Sequence, residues 1–248
     1  MDLPLRYALV NGIRAEPQPK LTGVCNFCGL EMISKCGRYV AWHWAHKRKS
    51  SCDPWLEGET DWHLEWKDRF PKDWQEIVHV DDQTKERHIA DVKTPSGLII
   101  EIQHSPISEQ ELRSREHFYR NMIWIVDARD FEGYFSIGMT YGLASIDPLS
   151  YHIRWWGSSK LLQRWSAATT PVYFDIHSEE NSNLLRLMEF SSAESAGILA
   201  PVPSDAVVNA ALSGKRLPLV RCDESDAQRY SRYWKMADVP AMDDSGDQ

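Results

Sequence analysis

Residues 87–105 read RHIADVKTPSGLIIEIQHS, two strand-like runs around a tight turn. Pro95, Ser96 and Gly97 supply the turn chemistry, so the unit is predicted to be a β-hairpin. Side chains alternate faces along a strand, so Asp91 goes with Lys93 and Glu101 goes with Gln103. In the expected register Asp91 and Glu101 meet at one divalent ion. Two carboxylates with open coordination positions suit Mg²⁺ or Mn²⁺, which keep waters and accept phosphate oxygens. That is the chemistry of phosphodiester hydrolysis. Glu101 also lies in the apolar run Leu98–Ile102, where an uncompensated carboxylate is costly to bury. A metal or a cation is therefore expected beside it, and Ile102 adds only its backbone carbonyl. The plainer reading is a hairpin with two solvent-facing acids, and the apolar run weighs against it.

Four of the five cysteines, Cys25, Cys28, Cys36 and Cys52, cluster upstream, with Cys222 far away. An odd, clustered set favours a metal site in a reducing compartment over a disulfide framework. Cys25-x-x-Cys28 suits tetrahedral zinc, with two more ligands to come from Cys36, His43, His46 and Cys52. His46 and Cys52 are favoured, because they flank the basic residues Lys47, Arg48 and Lys49 and close the ribbon at its far end. His43 then takes a supporting role and Cys36 becomes a buried thiol. Four protein ligands leave no open position, so the zinc is structural and turns the basic loop toward nucleic acid. Unconnected core cysteines are disfavoured, since so short a segment has little core of its own.

Between these segments Thr60 is placed to cap a helix running to about Phe70, with Trp62, Trp66 and Phe70 as its buried stripe. His63 and Lys67 stand one turn apart and share a face. Asp61 and Glu65 form an acidic pair on the same helix, either of which can add a third carboxylate. Glu76–Val80 reads as a strand, 81–86 as a turn, and Ser108 with Glu111 as a capping box that opens a helix to Arg120. Arg115 and Tyr119 share a face of that helix. Met122–Val126 is a continuous apolar strand suited to the middle of a sheet. Asn11-Gly12 marks a second hairpin between Tyr7–Val10 and Ile13–Ala15. Further on, Tyr151–Trp156 and Val172–Ile176 read as strands, and Ser159–Ala167 and Asn183–Phe190 as helices. Residues 191–205 read as a linker or loop, and the stretch after Val239 as a disordered acidic tail. Arg154, Trp155, Trp156 and Trp165 offer base stacking, although core packing is the better reading.

The net charge of −8 argues against a protein that coats nucleic acid, but is compatible with a nuclease whose metal offsets its carboxylates. No apolar run is long enough to span a bilayer and no signal-peptide pattern opens the chain, so a cytoplasmic bacterial or phage protein with no membrane partner is expected.

The order of these motifs resembles two nested groups. Asp91, a spacer and Glu101-Ile102-Gln103 are similar to the PD-(D/E)XK nuclease superfamily, with Gln103 where its lysine stands. The Cys/His cluster ending in His43–His46, then Thr60–Lys67, then QHSPIS, SREHFY and MIWIVD, looks like the competence protein CoiA family over about residues 20–130. The resemblance implies a zinc-binding segment ahead of a restriction-endonuclease-like α/β core. It points to His63 and Lys67 as site residues, to Asp61 as the acidic position, and to Arg115 and Tyr119 as substrate or support contacts, with a structural helix-packing role an equal alternative for that pair. Lys67 would supply the charge that Gln103 lacks, with Lys93 as its competitor. The expected organisation is a hairpin and zinc ribbon (1–57), a nuclease core (58–130), a C-terminal α/β extension (131–238) and the tail (239–248).

The expected activity is Mg²⁺- or Mn²⁺-dependent hydrolysis of DNA. Asp91 and Glu101 hold the metal, Gln103 positions water, and Lys67 with His63 handles charge and protons. DNA uptake, recombination or phage DNA processing is the implied setting, with a homodimer or a complex with other DNA-processing proteins left open. Two other classes stand beside it. One is a DNA-binding accessory protein whose nuclease fold has lost activity; the other is a zinc-stapled adaptor, which would leave Asp91 and Glu101 without a purpose.

Overall fold

Asn11 and Gly12 have φ of 52° and 79°, as a two-residue hairpin turn with both central residues at positive φ requires. They join β1 (Ala8–Val10) to β2 (Ile13–Ala15) in the computed structural model of the chain. The structure describes residues 4–48, 52–56, 58–129, 135–139, 151–155, 164–176, 183–191, 196–215 and 217. β3 (Thr22–Val24), β4 (Glu31–Lys35) and β5 (His43–His46) complete a five-stranded antiparallel sheet in the order β2-β1-β3-β4-β5. Leu5, Ala8, Cys25, Met32 and Trp44 form its small core, with Ile89 of the second sheet packed among them. Gly23 leaves room for the crossing: a Cβ there would stand 2.8 Å from the Leu9 carbonyl oxygen.

The second sheet has nine strands. β6 (Gln75–Val80), β7 (Arg87–Lys93) and β8 (Ile99–Gln103) run antiparallel in chain order. Helix α2 (Glu109–Tyr119), capped by the Ser108 hydroxyl, then carries the chain to β9 (Met122–Asp127), parallel to β8. Every residue of β8 and β9 is buried, which accounts for their continuous apolar reading. Helix α1 (Asp61–Asp68) is capped by Thr60 as expected, and Trp62, Trp66 and Phe70 are buried. Both of its indoles donate to Asp175 Oδ2, at 2.9 and 2.8 Å, which fixes α1 to the end of β12 (Val172–Asp175).

Beyond residue 129 the strands expected at 151–156 and 172–176 are present as Tyr151–Trp155 and Val172–Asp175, but the rest departs from the sequence reading. β12 adds to β9 in parallel through Trp124↔Val172 to Asp127↔Asp175, so the sheet continues across the expected boundary at 130. Residues 183–191, expected to be helical, form strand β13 (Asn183–Ser191). The expected loop over 191–205 contains strand β14 (Ala196–Pro203) and the start of helix α3 (Ser204–Ser213). For β13 the physical reason is a bulge: the β13–β14 register shifts between Leu187 and Glu189, which breaks the period-two alternation; for β14 it is Gly197, Pro201 and Pro203, which carry loop chemistry. Strands β10 (Phe135–Met139) and β11 (Tyr151–Trp155) complete the edge; β10 and α3 have no counterpart in the sequence reading. Trp165 is buried edge-on against Trp124, a core role. Trp156, most of the helix expected at 159–167 and the acidic tail lie outside the described residues. No helix among the described residues is long and apolar enough to cross a membrane.

Glu116 of α2 binds the far half of the sheet to the near half. Its buried carboxylate accepts from the backbone N–H and hydroxyl of both Thr169 and Thr170, and from Trp124 Nε1. Glu116→Ala strands five donors and is expected to cost about 3 kcal/mol or more in urea unfolding. A loss below about 1 kcal/mol would show that this clamp does not hold the sheet together.

Candidate functional site

Two clusters of chemistry-bearing side chains stand out. The first is the expected metal site. Cys25 and Cys28 sit in the β3–β4 turn, tightened by a Gly29 N–H to Cys25 carbonyl bond and by Gly29 at φ 74°. His46 ends β5, and Cys52 begins the segment that leaves the ribbon. The ligand atoms of these four residues all lie within 4.8 Å of one another. Cys25 Sγ is 3.7 Å from Cys52 Sγ, and Cys28 Sγ is 3.2 Å from His46 Nε2. Bonds of the usual zinc length in a tetrahedron separate two sulfurs by about 3.8 Å, so the four residues fit a metal such as zinc. The hydrogen bond from Cys52 pulls the Cys25 thiol down to about 4 and drives Cys52 upward, which favours a thiolate at Cys25. Cys36 is half-buried outside the cluster and is not the buried thiol expected of it. His43 donates from Nδ1 to the Ala41 carbonyl.

The second cluster lies on the large sheet. β6 and β7 pair Gln75 with Val92 and Ile77 with Ala90, which places Glu76 level with Asp91. β7 and β8 pair Val92 with Ile100, which places Asp91 level with Glu101. Three carboxylates thus cross three neighbouring strands in one row, where like charges repel. The ladder gives way at this row. Glu76 is at φ 45°, and Asp91 Oδ2 itself accepts the Ile102 N–H at 2.9 Å. The Glu76 carboxylate turns to the N-terminal segment and accepts from the backbone N–H groups of Arg6 and Tyr7.

Two helices deliver cations to the row. Lys67 of α1 is 2% exposed, with Nζ at 2.5 Å from Glu59 Oε1, 3.1 Å from Glu76 Oε1 and 3.3 Å from Asp91 Oδ1. His63, one turn earlier, brings Nε2 to 3.1 Å from Asp91 Oδ1, although not in hydrogen-bonding alignment, and its Nδ1 has no hydrogen-bond partner among the described residues. Arg115 of α2 donates to Glu101 Oε2 at 2.9 Å. Burial would lower the Lys67 ammonium, but Glu59, Glu76 and Asp91 hold it well above its usual range. Burial would raise Asp91, but His63 and Lys67 hold it well below the carboxylate range. Glu101 is pushed up to about 8 by burial and by the charge of Asp91, despite Arg115. Glu76 is pushed up to about 7, chiefly by burial, with Lys67 opposing and Glu59 adding to it.

With Glu59, four carboxylates no more than 18% exposed face two permanent cations, Lys67 and Arg115, and 4 − 2 leaves a formal charge of −2. These groups and Gln103 line a cleft of about 20 Å³, room for an ion or a water. Asp91, Glu101, Gln103, Lys67 and His63 therefore come together as the sequence suggested. Gln103 is buried and donates from Nε2 to the Ser105 carbonyl at 2.8 Å. Lys67, not Lys93, is the lysine beside Asp91.

Other expected site residues are placed differently. Arg115 and Tyr119 are 3% and 4% exposed. Arg115 gives its guanidinium to Glu101, Glu111 and the Trp55 carbonyl, and Tyr119 packs against Trp55, Phe118 and His79. Arg115 thus lines the cleft as the support for Glu101, and Tyr119 packs between α2 and the sheet rather than meeting solvent. Asp61 and Glu65 are exposed, and the additional carboxylates come from Glu59 and Glu76. Lys47 and Arg48 are exposed, with Lys47 paired to Glu31; Lys49 lies outside the described residues. Glu76 was legible as a charge in an apolar strand whose turn length sets it opposite Asp91. Glu59, just ahead of a helix cap, carries no comparable signal.

Residues 20–54 match the family model described as competence protein CoiA, N-terminal domain, and all four ligands of the Cys/His cluster fall within that match. Neither the curated proteins nor the solved structures contain a match to this chain.

Elemental analysis is expected to find one zinc per chain. Cys52→Ser should lose the ion and Cys36→Ser should keep it, and the reverse result would displace Cys52 from the ligand set. The raised carboxylates set a second expectation. A Glu101 held at about 8 in the fold and near 4.5 when unfolded stabilises the protein fully below about pH 4.5, a contribution lost as pH rises through 8. In magnesium- and manganese-free buffer, stability should fall by on the order of 2 kcal/mol from pH 6 to 8.5. Glu101→Gln should flatten that slope, and a wild-type profile that is already flat would contradict the site's electrostatics.

Proposed function

We propose that the protein is a metal-dependent nuclease that hydrolyses DNA phosphodiester bonds, with the near half of the large sheet as a PD-(D/E)XK-like core. The observation that carries this reading is the carboxylate row with its formal charge of −2. Two positive charges are wanting in a cleft the size of an ion. Protons supply them in part when Glu101 and Glu76 titrate upward; a divalent cation supplies both. Asp91 and Glu101 would hold that ion, as Mg²⁺ or Mn²⁺, and Ile102 would add only its backbone carbonyl. When bound, the ion supplies a Lewis acid and a water of lowered pKa.

The chain's own residues do the rest. Lys67 is a permanent cation beside Asp91, oriented by Glu59 and Glu76, and it offsets charge that develops on the phosphate, as the motif lysine does elsewhere. His63 stands at Asp91 with Nδ1 buried and without a hydrogen-bond partner among the described residues, and is the imidazole placed for proton handling in this cleft. Gln103, oriented by Ser105, can hydrogen-bond a water but cannot neutralise charge. The CoiA N-terminal match supports a role related to competence, in DNA uptake or recombination, with DNA as the partner.

One observation favours a second reading, a nuclease fold kept only for binding. Arg115 and Lys67 already occupy oxygens of Glu101 and Asp91, so the acids are neutralised in part without metal.

Purified protein is assayed on linear, nicked, circular and single-stranded DNA with Mg²⁺ or Mn²⁺. Cleavage is expected to depend on the ion, and Asp91→Asn and Glu101→Gln should each lower it by about 10²-fold or more while the fold persists. No cleavage of any form would give the field to the binding reading, and cleavage that survives both substitutions would remove this cleft from the mechanism.

A further inference from the structure

The end of the ribbon remote from its cysteine knuckle is chemically unlike the rest of the protein. β4 and β5 pair Lys35 with His43, so residues 36–42 project from the sheet as the hairpin's tip. Tyr39 is 99% exposed, Val40 65% and Trp42 51%. Trp42 Nε1 donates to the Gly37 carbonyl at 3.1 Å, which holds the indole as a fixed plate. The β3–β4 register pairs Thr22 with Ile33, so Lys20 falls level with Lys35, and both adjoin the tip that carries Arg38. None of these three cations has an ion-pair partner among the described residues. From residue 20 to 48 the chain has five Lys and Arg and one acid, Glu31, already paired with Lys47; 5 − 1 makes this segment +4 in a chain of −8. Two exposed rings gain nothing from water, and unpaired cations beside them define the partner's charge.

We propose that this tip binds single-stranded nucleic acid, with Tyr39 and Trp42 as stacking platforms for bases and Lys20, Lys35 and Arg38 as phosphate contacts. The inference deepens the nuclease reading by naming where the strand is gripped, and rests on that reading for the polymer's role as substrate. Single strands are selected because only unpaired bases offer their faces to a ring. An anionic membrane surface would also meet aromatics and cations, but the tip has little aliphatic surface to insert, Val40 and Ala41 alone.

The test is fluorescence anisotropy with the full chain in magnesium-free buffer, against a labelled oligothymidylate, a duplex of equal length, and vesicles of phosphatidylcholine and phosphatidylglycerol. The oligothymidylate should bind at least tenfold more tightly than the duplex. Tyr39→Ala and Trp42→Ala should each weaken it about tenfold, and Tyr39→Phe should bind as the wild type does. Arg38→Ala should lower the slope of log affinity against log salt by about 0.7. Zinc content and melting temperature should not move, since these side chains are exposed. A Tyr39→Ala, Trp42→Ala double variant that binds as wild type overturns the proposal, as does preference for the vesicles over the oligonucleotide. Tip-dependent binding here, with no cleavage in the assays with Mg²⁺ or Mn²⁺, would remove the nuclease reading and leave this one, and cleavage in those assays with tip-independent binding would do the opposite.

Discussion

Lys67 is buried among Glu59, Glu76 and Asp91, and much of the molecule is arranged to keep it there. An ammonium in that position without its acids, or the acids without it, would leave uncompensated charge in a low-dielectric interior. The group can exist only as a set, so the elements that supply its members are fixed relative to one another. Gln75, at the start of β6, donates to the carbonyls of Lys67 and Phe70 and so closes the end of α1 that carries the lysine. Glu76 follows at positive φ, a conformation that costs free energy in any residue but glycine and persists where surroundings over-determine it. Its carboxylate is claimed by the N–H groups of Arg6 and Tyr7, which draws the N-terminal segment onto the site.

A second chain of bonds runs from the ribbon into the same cleft. Asp53, next to the ligand Cys52, accepts from His88, from the Ile89 N–H and from the Trp55 N–H. Trp55 stacks on His88, and its carbonyl accepts from Arg115, the residue that holds Glu101. Segment 52–56 is therefore a shared wall: one end belongs to the Cys/His cluster and the other orients the cation on a site carboxylate. Loss of the cluster would loosen Arg115 as well as the ribbon. The two clusters are thereby parts of one construction.

How much of this was legible in the sequence follows from the range of the interactions. Local rules placed the Asn11-Gly12 hairpin, the Thr60 and Ser108 caps and the 87–105 hairpin, because turn and cap chemistry is decided by neighbours in the chain. The Cys/His cluster was legible because few residue types can fill it. Glu59 was not, since nothing local marks an acid that a lysine eight residues on will claim. Arg115 and Tyr119 were read from helix spacing, which cannot say whether a face meets solvent or a sheet. The strand at 183–191 was missed because a bulge disturbs the alternation on which strand reading depends, and the one at 196–203 because its small residues and prolines carry loop chemistry.

The placement of charge bears on how such a cleft could meet a polyanion. A site at −2 repels phosphate, and the chain as a whole, at −8, does so too. Attraction must then come from elsewhere, and the cations of the ribbon are where the sequence concentrates it. Protons on Glu101 and Glu76 relieve that repulsion in part and a divalent ion would relieve it in full, so such a row favours a phosphate that arrives with metal. Separating the two roles leaves the carboxylates an unmet negative charge to offer an ion, which a cleft lined with further lysines would cancel. On this reasoning the basic ribbon and the acidic row are complementary halves of one electrostatic arrangement.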